Sequence, residues 1–143
     1  MVSDSATGVL ESVNAALLRQ LLDGGFTPVL TVPAITQSGE LINVDNDRAA
    51  AVTATDLHAP TIVMLFEAPG LLIDPQDEQS LVHEVRGVQL NTSMQMVKGR
   101  MKKKLLGVVE AFSFGVEKVY FGDGRISRPV SSALAGNGTI LRS

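Results

Sequence analysis

The chain has 143 residues, 45% of them hydrophobic and 4% aromatic, which gives one domain with an aliphatic core. A formal net charge of −3 excludes a general nucleic-acid binder, and the lack of Cys excludes disulfides, thiolate metal sites and thiol catalysis. Apolar runs such as Thr61 to Phe66 are too short to span a bilayer, and Met1-Val2-Ser3-Asp4 lacks the features of a signal peptide, so a soluble cytoplasmic protein without a membrane partner is expected.

Residues 1–143 read as a single domain in which helices and strands alternate. Val13, Ala16, Leu17, Gln20 and Leu21 recur at helical spacing, so Ser12 to Asp23 is expected to be a helix ended by Gly24-Gly25. Thr27 to Val32 is a β-branched run closed by Pro33 and reads as a strand. Ala-rich Asn46 to Leu57 reads as a helix. Thr61 to Phe66, continuously apolar between Pro60 and Pro69-Gly70, reads as a strand buried on both faces. Residues 74 to 80 form a polar loop. Met101 to Phe114 is a second clear helix, followed by a strand over Glu117 to Phe121 and a turn at Gly122-Asp123-Gly124. A short helix over Arg128 to Leu134 and a last strand over Thr139 to Leu141 complete the pattern. Such alternation predicts an α/β fold: an open, mainly parallel sheet with helices on both faces. His58 and His83 show no ligand spacing and read as incidental.

In open α/β sheets, ligands gather where strand ends meet helix N-termini. Two strings occupy such places. In Asn43-Val44-Asp45-Asn46-Asp47-Arg48-Ala49-Ala50, Asp45 or Asn46 can cap the following helix, and Asp47 falls in its first turn, where the helix dipole favours a negative charge. Capping accounts for both aspartates without any further role. It leaves Asn43, which can offer an amide to a small polar substrate while Asp47 faces a cation. The second string is Gly99-Arg100-Met101-Lys102-Lys103-Lys104. On a helical wheel Met101, Leu105, Val108 and Phe112 share the core face, Lys103 points to solvent, and Lys102 and Lys104 sit at opposite rims. With Lys98 and Arg100 upstream, the cations surround the helix rather than forming a nucleic-acid stripe. All lysines lie at or beyond position 98. A lysine beside glycine at a helix mouth is well placed for phosphate oxygens, and phosphoryl transfer needs mostly positioning and electrostatic stabilisation.

Taken in order, these strings with Leu65 to Gly70-Leu71, Asp123-Gly124-Arg125 and a closing Gly138-Thr139 resemble the amino acid kinase family. They are most similar to acetylglutamate kinase and its relatives, and among those to kinases acting on aminoadipate or glutamate held by an amino-group carrier protein. The resemblance covers essentially the whole chain and matches the C-terminal, nucleotide-binding half of that carbamate kinase-like fold. It implies a kinase moving the γ-phosphate of ATP, with Mg2+, onto a side-chain carboxylate to give an acyl phosphate in lysine or arginine biosynthesis. It implies that Asn43 binds the amino-acid substrate, that Asp47 holds the catalytic lysines, and that Lys104 stabilises the transition state. Phe66, Glu67, Gly70 and Leu71, within the segment Phe66 to Leu72, are implied to line the nucleotide pocket, with Met101, the turn before it, and Lys104. No protein side chain is implied as a metal ligand.

The chain departs from the family pattern at Phe66-Glu67, where Thr-Asp or Ser-Asp is usual. The family's opening strand, its Gly-Gly loops and a second phosphate-binding lysine have no counterpart here, and Val2 to Leu10 reads as mid-domain sequence. A separate N-terminal half is therefore an expected partner, beside the carrier-linked or free amino-acid substrate. An open sheet edge predicts a homo-oligomer. The other class of reading is a catalytically inactive nucleotide-binding or assembly module.

Overall fold

The computed structural model describes residues 7–96 and 99–143. The main sheet joins β4 (Thr61–Phe66), β8 (Lys118–Asp123), β9 (Thr139–Arg142) and β7 (Glu84–Arg86) in the order β4-β8-β9-β7. Two of its three ladders are parallel, β4 with β8 and β7 with β9, and β8 runs antiparallel to β9. A smaller sheet of order β1-β3-β2 is made of β1 (Thr7–Gly8), β3 (Leu41–Val44) and β2 (Ala34–Ile35). A hairpin of β5 (Leu71–Leu72) and β6 (Leu81–Val82) completes the strands.

Helices cover both faces of the main sheet. On one, α2 (Asn46–Leu57) and α4 (Gly99–Ser113) pack together, and Ala51, Ala54, Leu105, Val108 and Ala111 join Ile62, Met64, Val119, Phe121 and Leu141 in a single core. On the other lies α5 (Pro129–Leu134). A Cβ at Gly122 would stand 2.7 Å from that of Ala133, so glycine is what lets α5 approach β8 so closely. This packing also explains why β8 runs on through the residues whose composition reads as a turn. Two further helices, α1 (Ala15–Asp23) and α3 (Gly87–Met96), flank α2 and β7. Among the described residues no helix is long and apolar enough to cross a membrane.

Local chemistry sets the helix ends. Asn14 caps α1 by accepting from the Leu17 N–H (3.0 Å), so that helix starts at Ala15 rather than Ser12. Asp45 caps α2 by accepting from the Arg48 N–H at 3.0 Å. At the other end of α2, the Asp56 carboxylate accepts from the Val13 N–H (2.8 Å), and the Asp56 carbonyl accepts from Arg19 (2.8 Å).

Three expectations are corrected. Thr27 to Val32 forms no strand: it has no pairing partner among the described residues, Pro28 has no N–H to give, and Val29 is 90% exposed. The nearby strand is instead β2, which turns through Thr36–Glu40 into β3. Strand β4 buries Ile62 and Met64 on one face, but on its other face, towards α5, Leu65 stays 37% exposed, so burial there is only partial. The polar loop over 74–80 contains a 3-10 turn at Glu78–Ser80, capped by Asp77.

Candidate active site

Helices α2 and α4 meet along a stripe of alternating charge. On α4, Lys104, Gly107 and Glu110 follow one another at one-turn spacing, and each meets the start of α2. The Lys104 ammonium donates to both oxygens of Asp47, at 3.1 and 3.2 Å. At Gly107 a Cβ would lie 3.4 Å from that of Asp47, an ordinary van der Waals contact. Glu110 forms an ion pair with Arg48, its Oε1 3.0 Å from Nη2. The Asp47–Lys104 pair is half-buried, with side-chain exposures of 28% and 25%, so the ammonium is held in place yet open to a ligand.

The Lys104 Nζ also lies 5.4 Å from the centre of the Phe66 ring, within range of a cation–π attraction. Phe66 is fixed in turn by an edge-to-face contact with buried Phe121, the ring centres 5.2 Å apart. One cationic group is therefore oriented by a carboxylate from one element and an aromatic face from another. Lys102 and Lys103 are both exposed. Lys98 and Val97 lie outside the described residues, as does the side chain of Arg100.

The other predicted residues fall into two groups. Met101 is partly buried against the core, one helical turn before Lys104. Glu67 is exposed just past the end of β4. Asn43 is exposed on β3, beside Thr7 of β1. Gly70 and Leu71 are interior: the Leu71 side chain is in the core, and its N–H donates to Thr139 Oγ1 at 2.8 Å.

A second charged group lies at the adjoining strand ends. The Arg125 guanidinium donates to both oxygens of Asp123 (2.8 and 2.7 Å) and to Glu78 (2.9 Å), bridging β8 to the 3-10 turn. These hydrogen bonds hold the Asp123 carboxyl below its ordinary value, against the opposing effect of partial burial, and raise that of Arg125. The Gly124 N–H donates to the Phe66 carbonyl at 2.9 Å, so this turn also fixes the end of β4. The bond from Arg125 to Glu78 spans 47 residues and has no local sequence signal.

The profile of the amino acid kinase family matches residues 3–123. The chain belongs to the amino acid kinase family. It is 47% identical over 135 residues to a LysW-aminoadipate kinase of Deinococcus radiodurans, covering 94% of this chain and 46% of that one. It is 31% identical over 140 residues to an acetylglutamate kinase of Clostridioides difficile, covering 94% and 49%. Among solved structures, N-acetylglutamate synthase from Neisseria gonorrhoeae, complexed with coenzyme A and N-acetyl-glutamate, superposes with a TM-score of 0.85 at 23% identity, covering 96% and 32%. That similarity shows the α/β fold of the family. The chain spans about half the length of the curated relatives it matches. Within this family fold, the Asp47–Lys104 contact joins the two strings that carried the resemblance.

Proposed function

We propose that this chain is the nucleotide-binding portion of a kinase that phosphorylates the side-chain carboxylate of an aminoadipate or glutamate derivative, using ATP. The observation that carries this reading is the ammonium of Lys104, gripped by Asp47 and backed by Phe66. A fixed, half-open cation suits a transferring phosphoryl group, whose charge is spread over its oxygens. A substrate carboxylate oxygen attacks the γ-phosphorus, the bond to the β–γ bridging oxygen breaks, and ADP leaves with that electron pair. Lys104 offsets the negative charge on the moving group. Asp47 keeps the ammonium aimed. Asn43 offers its amide to the amino-acid substrate. Both oxygens of Asp47 are engaged by Lys104, so this carboxylate serves to hold the ammonium, and Mg2+ would enter with the nucleotide phosphates and offset their charge.

The higher identity to an aminoadipate kinase than to an acetylglutamate kinase supports the aminoadipate or glutamate branch, with a carrier-linked acceptor. The coverage of about half of each relative supports a second reading, a nucleotide-binding or assembly module that does not turn over alone. Calorimetric titration with Mg-ATP, with Lys104→Ala as control, tests the nucleotide site. Hydroxylamine trapping of an acyl phosphate then tests catalysis, with the N-terminal half of a relative supplied. Turnover by the chain alone would exclude the second reading. Mg-ATP binding unchanged in Lys104→Ala would overturn the role of Lys104.

A further inference from the structure

Thr139 is 1% exposed, a polar residue in an interior that is otherwise apolar among the described residues. Its hydroxyl accepts from the Leu71 N–H at 2.8 Å and donates to the Val82 carbonyl at 2.6 Å. Leu71 and Val82 are opposite one another in the β5–β6 hairpin. One oxygen therefore hooks both strands of the hairpin to β9, 68 residues from Leu71 in sequence. Few side chains can do this, because the atom must accept and donate at once in a space the size of a methyl group. Valine fills the space and can do neither.

The surrounding backbone is fitted to this hook. A Cβ at Gly70 would fall 2.6 Å from Thr139 Oγ1 and 3.0 Å from the Thr139 N. One at Gly138 would collide with the Phe121 carbonyl and approach the Pro69 carbonyl to 3.1 Å. The Ile140 N–H continues the attachment by donating to the His83 carbonyl at 2.8 Å. Gly138-Thr139 thus packs against Pro69, Gly70 and Leu71, in the second half of the run from Phe66 to Leu72. At one end of that run is the ring that faces Lys104, and at the other the amide held by Thr139.

We propose that Thr139 is a positioning residue: by hooking Leu71 and Val82 together, its hydroxyl sets the course of the Phe66–Leu72 loop and thereby the affinity for nucleotide. This rests on the reading that the loop lines an ATP site. Thr139 makes no contact with the nucleotide in this role and acts through the backbone of Gly70 and Leu71.

The test compares wild type, Thr139→Ser (hydroxyl kept, methyl lost) and Thr139→Val (hydroxyl lost, volume kept). Amide hydrogen exchange at Leu71 is read by NMR, and Mg-ATP affinity by calorimetry on folded protein. The expected result is Leu71 exchange about tenfold faster and nucleotide affinity about three- to tenfold weaker in Thr139→Val, the worth of one hydrogen bond. Thr139→Ser should stay near wild type in both, even where losing the methyl lowers its unfolding midpoint. Affinity that follows stability rather than the hydroxyl overturns the proposal. So does Mg-ATP binding by Thr139→Val at wild-type strength. If wild type itself binds no Mg-ATP, the nucleotide reading falls and the proposal with it. If Thr139→Val does not fold, Thr139→Cys replaces it, with intermediate values expected and values equal to those of Thr139→Ser overturning the proposal.

Discussion

Uncoupling Asp47 from Lys104 is the most direct perturbation of the candidate site. At their closest separation of 3.1 Å and an effective dielectric constant near 20, the attraction amounts to about 5 kcal/mol before desolvation. Side-chain exposures of 28% and 25% place the pair between a surface ion pair, worth at most about 1 kcal/mol, and a buried one, where loss of a partner costs about 3–5 kcal/mol. Either charge left alone can partly rehydrate, so Lys104→Met or Asp47→Asn should each cost about 1.5–2 kcal/mol, which for this chain length is about 6 °C in Tm. Lys104→Met keeps most of the apolar stem, which limits the packing loss. The double variant should then be more stable than the sum of the single losses by about 1.5 kcal/mol. Urea unfolding of the four proteins measures this coupling. A coupling below about 0.5 kcal/mol would refute the reasoning, because the contact would then behave as a solvent-screened surface pair.

Gly70→Ala should destabilise by about 1–3 kcal/mol in urea, since the new methyl meets Thr139 backbone and side chain with no room to yield. Gly107→Ala, in α4 with only an ordinary contact to Asp47, should instead stabilise by about 0.5–1 kcal/mol, and a loss in the same assay would show that the α2–α4 spacing tolerates no addition. The Asp123 carboxyl is held below 3.8, so its contribution is fully present above its unfolded value and is lost as pH falls through its lower folded value. The Tm advantage of wild type over Arg125→Gln should therefore be constant near neutrality and shrink below about pH 4. An advantage independent of pH would remove the ion pair as its source. Ile35 and Leu41 are paired neighbours and both exposed, so light scattering of the isolated chain should show self-association that Ile35→Lys/Leu41→Glu reduces. A wild-type monomer at working concentration would count against an apolar contact there.

The strongest sequence signals and the central site coincide. Helix α2 was legible because Asp45 is a capping residue before an Ala-rich run, and β4 because prolines bracket an apolar stretch. The α4 wheel placed Leu105 and Val108 in the core and Lys104 at its rim, where they are found. Strands β1, β2, β5 and β6 are two residues long and exist only through partners elsewhere, so no local periodicity could show them. Helix α3 hides behind Val88, 90% exposed, and a mixed sequence in which, among the described side chains, Leu90 is buried and Met94 packs against the core. Thr27 to Val32 shows the opposite case, where strand propensity fails for want of a neighbour. Phe66 was visible as a departure from the family pattern. Its position against Lys104 and Phe121 needed the fold.

Helix α2 also behaves as a lever. Asp47, near one end, grips Lys104, while Asp56, near the other, is pinned by Val13 and Arg19. Nine residues of α-helix place these points roughly 14 Å apart, so a tilt of about 4° at the pinned end swings Asp47 by about 1 Å. A displacement of that size in a reacting group can change a rate about a hundredfold. Val13 and Arg19 bond to α2 at the end far from Asp47, so a pull on α1 would reach the ammonium only through the length of that helix.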